Sequence, residues 1–188
     1  ETLDGTEFRA AEEVEQRDYL ITRERLGAAL NIDFRPSDTA EYYLRTLISE
    51  YSDQEFRMAN ILKLENAEDD DGRANVGSTE ASASWDDAEL EKELKDRYEE
   101  AQVLSVALGG RNFVDAWTLE YQAGYSSAEQ DTPDDTTSLF LGEGFTLGYG
   151  NIGQEIGVFG DAATADPANY ALDEISRAGS KTEDEEVS

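Results

Sequence analysis

Four consecutive carboxylates in EDDDG (Glu68–Gly72) sit in a glycine-terminated turn, and hard oxygen ligands gathered in that way are the chemistry of a calcium loop. The EF-hand form of that loop needs acids at alternate positions and a glutamate at the twelfth. Placing Gly72 sixth makes Ala67 first and Ser78 twelfth, so the motif fails. A solvated acidic loop accounts for the run, and no metal site is assigned. Paired carboxylates also hydrolyse glycosides at separations of roughly 5–9 Å. With 44 Asp and Glu in 188 residues such pairs arise by chance, and no apolar pocket that would raise one pKa is legible. No catalytic residue is assigned, and the chain is read as a non-enzyme. Glycine-rich GEGFTLGYG (Gly142–Gly150) has no Lys and no helix signal after it, so it is not a phosphate cradle. Its glycines suit close strand packing.

Composition narrows the field further. Histidine and cysteine are both absent, which removes disulfides, thiol catalysis, His–Cys zinc sites, haem ligation through either residue and Ser–His mechanisms. No cofactor is expected. A net charge of −29 leaves nothing to neutralise phosphates, so nucleic acid is excluded as a partner. No run of 18 apolar residues occurs, so no membrane-spanning helix is expected. At 38% hydrophobic residues the core is lean, but seven Phe, nine Tyr and two Trp argue against disorder. The chain opens on Glu1 with no signal-peptide pattern after it, which reads as a cut inside a longer chain.

The elements that must position any site show a period of two. Leu26, Ala28, Leu30, Ile32 and Phe34 share one face, and Arg25, Gly27, Ala29, Asn31 and Asp33 the other. RPSDTA (Arg35–Ala40) turns the chain, and a looser strand follows to about Phe56 with Tyr42, Leu44, Thr46 and Ile48 on one side. Leu104, Val106 and Leu108 alternate in VLSVALGG (Val103–Gly110), and Trp117, Leu119, Tyr121, Ala123 and Tyr125 alternate after the link GGRNFVD (Gly109–Asp115). The reading is therefore two hairpins, about 18–56 and 89–128, with a long acidic loop about 58–87 between them and an irregular glycine-rich part, 138–188. Asp86–Ala101 carries both a helical spacing (Leu90, Leu94, Tyr98, Ala101) and the charged start of a strand, and the neighbouring pattern favours strand. DPANYALDEI (Asp166–Ile175) reads as a turn or short helix.

Short turns alternating with long acidic loops, and strands with one apolar face, fit an outer-membrane barrel, and they fit a soluble sheet whose strands simply favour aromatics equally well. Phe34, Tyr42 and Trp117 would form one aromatic girdle, and Tyr51, Tyr98 and Tyr125 the other. Arg25, Arg45, Glu120 and Gln122 would then face the lumen, where they either touch a substrate or pair among themselves, and the latter is the commoner arrangement. No substrate-binding residue is assigned.

Ile21–Glu55, ITRERLGAALNIDFRPSDTAEYYLRTLISEYSDQE, resembles an early barrel hairpin of the TonB-dependent receptors of Gram-negative outer membranes. ELKDRYEEAQVLSVALGG (Glu93–Gly110) and DAWTLEYQAGYSSAEQDTP (Asp115–Pro133) resemble the next hairpin. The resemblance implies an all-β chain of antiparallel hairpins, 1–188 being part of a transmembrane β-barrel with long acidic extracellular loops and no plug. It implies a cell outer membrane location and a segment of a receptor importing a scarce nutrient of the siderophore, cobalamin or saccharide class, not transport-competent alone. The implied partners are outer-membrane lipid, the small-molecule nutrient and the TonB complex through the missing plug. The alternative is a soluble or surface-attached acidic β-rich binding or adhesin module, in which Leu26, Leu30, Trp117 and Leu119 pack into a protein core.

Overall fold

A computed structural model describes residues 2–3, 6–7, 9–67, 74–150 and 156–188. Short strands β1 (Thr2–Leu3) and β2 (Thr6–Glu7) pair antiparallel as a two-stranded sheet. Long strands β3 (Glu13–Ser37), β4 (Ala40–Lys63), β5 (Ala83–Val114) and β6 (Trp117–Gly150) follow, then β7 (Gly157–Gly160) and β8 (Ala171–Val187). The strand order is β3-β4-β5-β6-β7, with β8 also pairing β6. Two-residue links after Ser37 and Val114 make the β3–β4 and β5–β6 pairs antiparallel hairpins.

The chain divides into two compact units, one of Glu1–Leu20, Phe56–Asp96 and Thr136–Arg177, the other of Ile21–Glu55, Arg97–Asp135 and Ala178–Ser188. The first has a closed core. Trp85 is 1% exposed and lies 5.7 Å from the Tyr149 ring, among Leu62, Leu64, Phe145 and Leu147. The Tyr149 hydroxyl accepts from the Ala11 amide at 3.1 Å, satisfying the one polar atom the ring buries. Asp87 adopts a left-handed φ of 54°, and the buried alternation changes phase there, from Ala83 and Trp85 to Ala88 and Leu90. That phase change marks a β-bulge, and it re-aims β5 so that both stretches meet the core.

The second unit has no comparable core. Its strand segments alternate an apolar with a polar face, and Leu26, Leu30, Trp117 and Leu119 are all exposed. Neither hairpin turn nor any other described residue lies over them. Asp115 takes the left-handed turn position with φ of 53°, which Asp tolerates better than most residues.

These observations correct several expectations. A barrel requires its terminal strands to pair, but among the described residues β3 pairs only β4 and β8 pairs only β6. The sheet is open, so the expected part of a transmembrane barrel is replaced by an open, mostly antiparallel β-sheet. Outer-membrane lipid, the outer-membrane location and the TonB complex all rested on that barrel, and nothing in the fold carries them. No helix among the described residues is long and apolar enough to cross a membrane. Tyr51, Tyr98 and Tyr125 each donate to a carboxylate, of Asp53, Glu100 and Glu185 respectively.

Within the irregular part, β8 is a full strand, and Ser188 just after it bonds reciprocally with Gly124, Ser188 N to Gly124 O and Gly124 N to Ser188 O. The expected loop 58–87 is shorter, since β4 runs to Lys63 and β5 starts at Ala83. Asp86–Ala101 is strand throughout. The turn or short helix at Asp166–Ile175 is a 3-10 turn, Pro167–Asn169, which the Asp166 side chain caps before β8 begins. EDDDG lies outside the described residues.

Candidate functional site

A groove of about 850 Å³ lies on β3, β4, β5 and β6 within the second unit. Gly110 lines it, and Gly109 lies beneath Tyr43, which lines it too. A side chain at Gly109 would collide with the Tyr43 ring, and one at Gly110 with the Tyr121 ring and the Glu41 carbonyl. The two glycines therefore seat one tyrosine on each face of the sheet, Tyr43 on the polar side and Tyr121 on the apolar side.

On the polar side Tyr43 is fixed twice. Its hydroxyl donates to Gln122 Oε1 at 2.7 Å, and the Arg45 guanidinium lies 5.1 Å from its ring centre. Arg45 also pairs with Asp33 and donates to the Ile32 carbonyl at 3.0 Å. Arg35 pairs with Glu41 at 2.7 Å, and Arg111 with Glu120 at 2.6 Å. Three arginines thus meet three carboxylates, and the groove is electrically balanced within a chain of charge −29. On the other face Tyr121 donates to Asn112 Oδ1 at 3.0 Å, and Phe34 stacks on Tyr42 at 6.5 Å. Burial, followed by the nearby Tyr42, pushes the Tyr121 phenol above its usual value, so it remains a hydrogen-bond donor.

Of the four polar residues singled out from sequence, Arg45, Glu120 and Gln122 converge on this groove. Arg25 does not: it stands 5.0 Å from the Tyr51 ring centre, beside a second polar cluster. There Asp53, its side chain 2% exposed, takes an ion pair from Arg23 and a hydrogen bond from Tyr51 at 2.7 Å, with Arg97 at 4.0 Å. Arg23, and then the Tyr51 hydroxyl, hold the Asp53 carboxyl below the usual carboxylate range against the opposing effect of burial. The cluster is paired through Asp53 Oδ2, while Asp53 Oδ1 and Arg97 Nε are buried without a hydrogen-bond partner. Sequence reasoning missed Tyr43, Arg35 and Arg111 as site residues. The legible signal was the doubled glycine within an alternating strand, facing tyrosines on its neighbours.

Chemically the groove offers fixed donors and acceptors around an aromatic ring. Set against models of known protein families, curated proteins and solved structures, the chain matches none. No family model supports the likeness of Ile21–Glu55 to TonB-dependent receptors, and with the open sheet this removes the receptor identity and the nutrient-import function it implied.

Proposed function

We propose that the chain is an acidic β-rich binding module, not an enzyme, and that the groove over Gly109–Gly110 takes an uncharged, hydroxyl-rich ligand such as an oligosaccharide. The observation that carries this reading is the charge balance of the groove: Arg35, Arg45 and Arg111 are each matched by a carboxylate. A charged ligand must separate one of those pairs, and a polyanion also meets the field of the whole chain. Neutral hydroxyls accept from the guanidinium N–H groups and donate to the carboxylates while the pairs stay intact. Tyr43, held against Gly109 and under the Arg45 guanidinium, supplies its ring edge beside the carbon side of a sugar, and Gln122 an amide next to it. The volume lies in the range of ligand sites, about 300–1,000 Å³.

The test is titration calorimetry of the whole chain with maltohexaose, chitohexaose and, as a charged comparison, polygalacturonate. Binding of a neutral oligosaccharide at roughly millimolar affinity or tighter, weakened at least tenfold by Tyr43→Ala, is expected. Binding of polygalacturonate alone, or neutral binding that Tyr43→Ala leaves unchanged, would overturn the reading.

A further inference from the structure

The opposite face of the second unit is where the chain is least like a finished domain. Positions 26–34 of β3, 42–48 of β4, 104–112 of β5 and 117–125 of β6 bring their inward-alternating side chains to one side. The pairs Phe34–Tyr42, Asn112–Tyr42 and Tyr121–Asn112, and the seating of Tyr121 on Gly110, establish that these rows share a face. None of the face positions is Asp, Glu, Lys or Arg, although 31% of the chain is charged. Yet the face is open: Trp117 is 73% exposed and Leu26 67%, with Leu30, Phe34, Leu108 and Leu119 also exposed.

A sheet with one apolar side needs a second layer, because the exposed side gains nothing from folding until it is covered. No described segment of the chain supplies that layer. We infer that a second copy of this chain supplies it, the two apolar faces packing as a two-layer β-sandwich about a twofold axis. Area supports that occupant. Aromatic side chains carry about 150–250 Å² each, and with the larger side chains of the face roughly half open it presents on the order of 1,000 Å². Each partner of a standard stable complex buries about 800 Å². The residues bounding the face, Glu24, Glu50, Glu100 and Glu129, give it an uncharged centre and an acidic rim, the composition of an interface core and its border. Two chains of −29 repel at long range, so screening by salt strengthens this association, whereas it would weaken a salt-bridged one.

Sedimentation equilibrium of the whole chain across a concentration and salt series tests this. Dimers that tighten with salt, and that Leu30→Glu weakens at least tenfold while Tyr43→Ala on the polar face does not, are expected. Fluorescence of the unmodified chain provides a measurement free of folding defects. Of the two tryptophans Trp85 is buried, so any fraction quenched by acrylamide reports Trp117. That fraction should fall as protein concentration rises. A monomer at every concentration with Trp117 always quenchable would overturn the inference. So would a monomer whose Trp117 becomes protected only on adding phosphatidylcholine vesicles, which would make lipid the occupant. The groove reading lies on the other face and is judged by its own titration, so either can fail alone.

Discussion

Replacing Gly109 by Ala sets two physical effects against each other, and the structure decides the sign. An ordinary strand gains roughly 0.5–1 kcal/mol from Gly→Ala, because the unfolded chain loses conformational freedom. At position 109 the added Cβ would stand 2.5 Å from Tyr43 Cζ and 2.6 Å from the Tyr121 carbonyl oxygen. Tyr43 can swing aside only by giving up its hydrogen bond to Gln122 and its stacking under Arg45. Those contacts contribute about 0.5–1.5 and about 0.5–1 kcal/mol respectively. The Tyr121 oxygen is backbone and yields only if β5 and β6 shift, an overpacking cost of about 1–3 kcal/mol. The net expectation is a loss of about 2 kcal/mol, which at a urea slope of about 1–3 kcal/mol per molar lowers the midpoint by about 1 M. Urea unfolding followed by far-UV circular dichroism measures it. The double variant with Tyr43→Ala should recover part of the loss, giving a coupling of at least about 1 kcal/mol. Stabilisation by Gly109→Ala, or strict additivity with Tyr43→Ala, would refute the role given to Gly109.

Three further outcomes follow from the same packing. Trp85→Ala empties the centre of the first unit and should cost about 3–5 kcal/mol in the same urea assay. Asp161 accepts from the Thr146 amide at 3.0 Å and the Ala163 amide at 2.9 Å, so Asp161→Ala should cost about 1 kcal/mol and raise amide hydrogen exchange at both positions. Asp53 has a folded pKa below its ordinary value of 3.8, so its contribution is fully present above that value and is lost as pH falls through the lower, folded one. Stability of the unmodified chain should therefore drop in that acid window, and Asp53→Asn should flatten the drop, as read by urea midpoints at successive pH values.

Period-two alternation at Leu26–Phe34 and Trp117–Tyr125 was legible because each stretch sees one chemically uniform face. The turn after Arg35 was legible for a local reason, since Pro and Asp limit the backbone wherever they occur. Gly109 and Gly110 misled, reading as a link although β5 continues to Val114 and turns at Asp115. Their purpose is to admit tyrosines from neighbouring strands, which is invisible along the chain. Asp86–Ala101 showed helical spacing because Leu90, Leu94 and Tyr98 lie four residues apart, an even step that equally keeps them on one face of a strand, and pairing with flanking strands overrides local propensity. Strand β8 carries six acids and almost no apolar pattern; it exists through backbone pairing to β6, which sequence does not display. The barrel expectation failed at the level above these elements. Hairpin rhythm specifies neighbours but not closure, and closure depends on whether β3 and β8 meet. For the site, Arg45, Glu120 and Gln122 could be placed on polar faces from alternation alone. Their convergence around Tyr43 could not, since it depends on the register between four strands.

The most direct test of the binding-module account is amide chemical-shift mapping of the whole chain during titration with maltohexaose and chitohexaose. The account predicts saturable shifts at the Gly109 and Gly110 amides and at the Gln122 side-chain amide, with the apolar face and the Trp85 core unmoved. Saturable shifts confined to other surfaces, or no shift with either sugar, would contradict it.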